Sequence, residues 1–106
     1  PVPSFAGKGP SDSTVPKGDM GVAAGVRAEM ENFDFDVTVK VESFNMIFIR
    51  DGQVIEKVSN SNRVTEEMKA NMKKVGKGQK LYIEKIKVKL PDGTTRQVAN
   101  ISLKVV

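Results

Sequence analysis

The chain has 106 residues and a formal net charge of +4, and it contains no cysteine, histidine or tryptophan. Those absences exclude a disulfide framework, a thiol nucleophile and any histidine-based acid–base or metal chemistry. No apolar run approaches the roughly 18 residues of a membrane span, and no signal peptide is visible. A chain of this size is expected to form one domain over 1–106 with a single real core. It starts at Pro1 rather than Met, so it is expected to be a piece of something longer.

Residues 1–21 concentrate prolines and glycines. Val2 to Phe5 reads as a short edge strand, where proline is tolerated. Gly9 to Thr14 reads as an exposed loop. Asp19 is placed to cap one helical turn through Ala24, but Val22, Ala24, Val26, Ala28 and Met30 alternate. A turn followed by a strand over 24–30 is therefore preferred.

From Phe35 to Val41 every second residue is apolar, with Asp36, Thr38 and Lys40 between, as in a half-buried strand. At Ser43 the phase breaks, and Phe44, Met46 and Phe48 take over. A one-residue slip turns over every later side chain, so the strand is bulged at Ser43 or crosses between sheets there. Arg50-Asp51-Gly52-Gln53 is a hairpin signal, and Val54 to Val58 is the returning strand. Ser59 to Asn62 is a loop.

Thr65 to Val75 is the one helix expected. Thr65 is its N-cap, Glu66 and Glu67 occupy the first turn, and Lys73 and Lys74 the last. Met68, Met72 and Val75 form an apolar stripe, read as core rather than as an exposed binding surface. Gly76 stands where a left-handed residue would end the helix. Gln79 to Leu90 is a second long strand with a phase break at Glu84-Lys85. Pro91-Asp92-Gly93-Thr94 is a tight turn. Arg96 to Val105 closes the chain, with Val98 in one register and Ile101, Leu103 and Val105 in another. These elements predict a mainly β fold: a small antiparallel β-sandwich, immunoglobulin-like or transthyretin-like, with one short α-helix.

The chemical inventory is thin. Asp34 and Asp36 lie two apart on one strand face, and paired carboxylates serve acid–base work or calcium. No loop supplies the further oxygens, and a solvated row beside Thr38 and Lys40 is the favoured reading. The hydroxyls of Ser59 and Ser61 have no histidine to activate them. Gly7-Lys8-Gly9-Pro10 and Lys74-Val75-Gly76-Lys77-Gly78 lack the ending and context of a phosphate loop. No catalytic residue, metal, cofactor or small-molecule substrate is expected. Charge is uneven, with acidic residues from Glu29 to Glu56 and lysines from Lys69 to Lys89. Nucleic-acid binding is not expected, because only Tyr82 interleaves with the basic run.

Several stretches, in order, resemble one family: Phe5-Ala6-Gly7-Lys8, Gly25-Val26-Arg27-Ala28, Asn32-Phe33-Asp34-Phe35-Asp36 and Val41-Glu42-Ser43-Phe44. The Ser59-to-Asn62 tract, the helix, Ile86-Lys87-Val88 and Pro91-Asp92-Gly93 follow. Together they resemble the C-terminal domain of the GldM/PorM family, periplasmic proteins of gliding motility and type IX secretion in Bacteroidetes. The resemblance implies the distal domain of an elongated homodimeric shaft, anchored to the inner membrane by an N-terminal helix absent from this chain. That anchor would work with GldL/PorL to harvest the proton gradient, while the distal domain reaches the outer-membrane-associated ring of GldK/PorK and GldN/PorN. The family pattern supplies no catalytic residue. The contact proposed from alternation is Lys85, Lys87 and Lys89, joined by Lys80, meeting an acidic surface of the ring or of the dimer mate. A lysine-guarded strand that resists aggregation is the competing reading of that row. The competing reading of the whole chain is an immunoglobulin-like adhesion or carbohydrate-binding module.

Overall fold

The structure is a computed structural model that describes residues 2–29 and 39–106. The start of the strand at Phe35 and the Asp34–Asp36 pair lie outside the described residues.

The chain is mainly β. In order it forms β1 (Val2–Phe5), β2 (Thr14–Val15), α1 (Lys17–Val22), β3 (Val26–Glu29), β4 (Lys40–Arg50) and β5 (Gln53–Ser59). Then follow α2 (Glu66–Lys74), β6 (Lys80–Lys89), β7 (Thr95–Gln97) and β8 (Ile101–Val105). β1 and β3 pair as a small antiparallel sheet. The larger sheet runs β2-β8-β6-β4-β5, with β7 pairing the far end of β6. Phe5, Val26 and Ala28 from the small sheet join Met46, Phe48, Leu81, Ile83 and Leu103 from the large one in a continuous core. The arrangement is a small β-sandwich. No helix among the described residues is long and apolar enough to cross a membrane.

Both phase breaks are bulges, and they face each other. Val41 pairs Val88 and Asn45 pairs Glu84, but Ser43 pairs Lys87, so the register slips and then recovers. On β4 the slip falls at Glu42 and Phe44. On β6 it falls at Lys85, whose φ is 50°. The paired bulges leave Val41, Phe44 and Met46 all buried, and likewise Ile83, Ile86 and Val88. Without them, half of these side chains would turn to solvent. Lys85 sits in the left-handed region, which costs an L-residue roughly 1–2 kcal/mol. Lys85→Gly is therefore expected to raise stability by about 1 kcal/mol in urea unfolding, and Lys85→Val to lower it. Equal stabilities of the three proteins would contradict the left-handed geometry.

The β4–β5 hairpin closes through Asp51 at φ 51° and Gly52 at φ 76°, a turn of the type that Asp-Gly favours. α2 is capped by Thr65, whose Oγ1 accepts from the Met68 N–H at 3.2 Å. Its two buried residues are Met68 and Met72. In the second tight turn, Asp92 accepts from the Thr94 hydroxyl at 2.7 Å and the Thr94 N–H at 3.0 Å. Those bonds, the hydroxyl first, hold its carboxyl below the ordinary aspartate value.

Four expectations are corrected. A second helix, α1, occupies Lys17–Val22; it follows Pro16, and Asp19 lies in its first turn rather than capping it. The helix forms because Met20 buries itself, while Val22, which belonged to the alternating pattern, is 83% exposed. The strand expected over 24–30 consequently starts at Val26. β2 pairs β8 in parallel, so the large sheet is not wholly antiparallel. Finally, Gly76 is not the left-handed residue after α2. The chain leaves the helix extended at Val75, which is buried, and the Gly76 N–H donates to Gln79 Oε1 at 2.7 Å. The positive φ comes later, at Gly78, whose N–H donates to the Val105 carbonyl at 2.6 Å.

Candidate interaction surface

Among the described residues no three carboxylates gather in a way that would hold a metal ion. The lowered carboxyl of Asp92 has a local cause, the bonds within its own turn, rather than a buried site. Among the described residues the buried polar side chain is Ser59, whose hydroxyl donates to the Arg63 carbonyl at 2.7 Å. That bond folds the Ser59-to-Asn62 tract back on itself and gives the hydroxyl a structural task.

The sheet face turned away from the core is the more informative surface. Residues directly opposite on antiparallel strands share a face. Ile47 lies between Glu56 of β5 and Tyr82 of β6, and Tyr82 opposes Ser102 of β8. Ile49 lies between Val54 and Lys80, and Lys80 opposes Lys104. At the other end of the sheet Lys40 opposes Lys89, and Lys87 lies between Ser43 and Gln97. The face therefore has a partly covered apolar middle, Ile47, Ile49 and Tyr82, with lysines at both ends.

The three lysines singled out from sequence are all exposed. Lys87 and Lys89 stand outward, opposite in phase to buried Ile86 and Val88. Lys85 keeps the same alternation of exposure, but it occupies the bulge at φ 50° and has no partner on β4 in the register. Lys40 and Lys104 were not anticipated. Each lies on a different strand, and only the register brings them beside Lys89 and Lys80. The alternation of Lys104 with buried Leu103 and Val105 was the available signal. Like charges directly opposite one another destabilise a sheet. None of these lysines is in an ion pair among the described residues, where the pairs are Lys57–Glu67 and Lys69–Glu66.

A concavity of about 350 Å³ lies between the two helices, lined by Met20 and Met72 with Lys17, Lys69 and Lys73 among its walls. Lys69 is engaged with Glu66 at 3.5 Å.

Comparison with known proteins adds what geometry alone does not. No curated protein matches the chain. The sequence pattern described as the GldM C-terminal domain matches residues 1–106. With that pattern covering every residue of a mainly β chain, the protein belongs to the GldM C-terminal domain family, a component of gliding motility and type IX secretion.

Proposed function

We propose that this is a non-enzymatic interaction domain at the periplasmic end of a shaft, which passes movement from an inner-membrane motor to an outer-membrane-associated ring. The shaft would be a homodimer driven through GldL/PorL, and the ring that of GldK/PorK and GldN/PorN. The observation that carries the reading is the lysine-rich outer face, added to family membership. Lys40 against Lys89 and Lys80 against Lys104 are repulsive in the isolated domain. An acidic partner surface would relieve both, and charged groups arranged this way speed and select encounters more than they add raw affinity. The paired bulges support a load-bearing role, since they let two long strands keep one buried face along their whole length. The carbohydrate-binding alternative would need exposed aromatics for stacking, and among the described residues the outward face offers Tyr82 alone.

The test is Lys85→Glu, Lys87→Glu and Lys89→Glu together, with affinity for purified GldK/PorK and GldN/PorN ring proteins measured across salt concentrations. The expected result is a loss of affinity of tenfold or more at low salt, shrinking as salt rises. Unchanged affinity and unchanged salt dependence in a normally folded variant would remove the row as the contact.

A further inference from the structure

The edge of the large sheet formed by β5 carries a site that the lysine face does not explain. Asp51 and Gly52 form a two-residue turn, so Arg50 and Gln53 exchange both backbone hydrogen bonds. Bonding alternates along an antiparallel pair. Hence Gln53, Ile55, Lys57 and Ser59 bond to β4, while the N–H and C=O groups of Val54, Glu56 and Val58 point away from the sheet. The rest of the sheet agrees: Lys104 and Val106 turn their N–H groups to Ser13, just ahead of β2, and to Val15 of β2, and Val105 turns its own the other way, to Gln79. Among the described residues nothing pairs the outer side of β5.

Free edges are normally short, bulged, proline-bearing or guarded by a projecting charge. The opposite edge follows that rule, because β2 spans only Thr14–Val15. β5 does not. It runs Gln53–Ser59 without proline, glycine or register break against β4. Its two charged side chains are both engaged within the domain, Glu56 through one carboxylate oxygen, and Glu56 itself stays exposed. Lys57 Nζ reaches Glu67 of α2 at 3.4 Å, and Glu56 Oε1 accepts from Asn45 Nδ2 at 3.1 Å. What remains beside the free backbone groups is Val54 and Val58, 68% and 54% exposed.

We infer that β5 accepts an extended segment of a partner protein as an added antiparallel strand, with the side-chain pattern apolar–x–basic–x–apolar set against Val58, Glu56 and Val54. Main-chain bonds to the three outward residues supply the holding force, and alternate side chains supply the choice. A second copy of β5 fits worse. A two-fold pairing centred on Glu56 opposes Glu56 to itself, and one centred on Lys57 opposes two lysines; both are repulsive. Centring on Ile55 leaves Val58 outside the paired region. The site is separate from the lysine row, so the charge-reversed lysine variant is expected to keep it.

The probe is the capped peptide Thr-Val-Thr-Lys-Thr-Val-Thr, titrated into the 106-residue chain while backbone amides are followed by NMR. Shifts should concentrate at Val54, Glu56 and Val58. Glu56→Pro removes one outward N–H that the β4 ladder does not use, as edge strands tolerate. It should weaken binding at least tenfold. Methylating the backbone nitrogen of the peptide's central Lys should do the same with the domain untouched, whereas methylating the adjacent Thr nitrogen should not. Glu56→Lys should reverse the preference between peptides centred on Lys and on Glu. No binding at millimolar peptide, shifts centred elsewhere, or indifference to the methylated Lys would overturn the inference. A concentration-dependent dimer that Glu56→Pro abolishes would overturn the choice of occupant in favour of a second copy.

Discussion

Met68→Ala and Met72→Ala are each expected to lower stability by about 2–5 kcal/mol, the usual cost of emptying a fully buried methionine site. For a domain of this size that is a fall of roughly 10–20 °C in thermal midpoint. Met68 is 0% exposed and Met72 2%, and both lie on the buried side of α2 as members of the continuous core. Met68 has a further task. The Thr65 N–H points at its Sδ, 3.5 Å away, while Thr65 Oγ1 takes the Met68 N–H, so one side chain serves both core and cap. Met72→Leu, which keeps volume, should cost under about 1.5 kcal/mol. Met68→Leu should cost more than Met72→Leu, because it also removes the sulfur from the cap. Thermal unfolding followed by circular dichroism checks all four. Midpoints unchanged in both alanine variants would mean that the stripe faces solvent and α2 is docked the other way round.

The two phase breaks show how much of this fold was legible in the sequence. An apolar pattern that changes phase inside one strand has few physical explanations, and both breaks mark bulges, on either side of Ser43 in β4 and at Lys85 in β6. What the pattern could not show is that the bulges lie opposite each other, since register is a relation between strands. The same limit hid Lys40 and Lys104, each ordinary on its own strand and notable only beside Lys89 and Lys80. α1 was missed for a different reason. Alternation from Val22 onward resembled a strand, but burial of Met20 decided the local structure. Gly76 looked like a helix stop because glycine commonly is one; burial of Val75 drew the chain out extended instead. The open edge at β5 was not legible either, because whether a strand is central or terminal depends on which neighbours the chain supplies. The family assignment rested on short stretches in the right order, and the match over 1–106 bears it out.

Gly25→Ala is the second substitution with a large expected effect, although it adds only one methyl group. Gly25 joins the two halves of the sandwich: it forms a bridge with Arg63 just ahead of β3. The Val26 N–H donates to the Asn62 carbonyl at 2.8 Å, and the Val64 N–H to the Ala24 carbonyl at 2.9 Å. A Cβ on Gly25 would run into the Asn62 carbonyl oxygen, with the carbonyl carbon at 3.2 Å and Arg63 Cα at 3.4 Å. Every one of those atoms is backbone, so no rotamer change relieves the contact. The chain must separate, and in separating it lengthens the two hydrogen bonds that hold the Ser59-to-Asn62 tract and the approach to α2 against β3. The expected cost is about 1–3 kcal/mol, the range for overpacking at a tight site. Gly21→Ala is the control. A Cβ at Gly21 meets nothing within 4 Å, and the residue lies inside α1, where alanine is favoured over glycine by roughly 1 kcal/mol. Denaturant unfolding should therefore move in opposite directions for the two variants. In hydrogen exchange, Gly25→Ala should speed the Val26 and Val64 amides ahead of those of β4 and β6, because the damage begins at the junction between the sheets. Equal behaviour of the two alanine variants would show that the sheets are not clamped at Gly25.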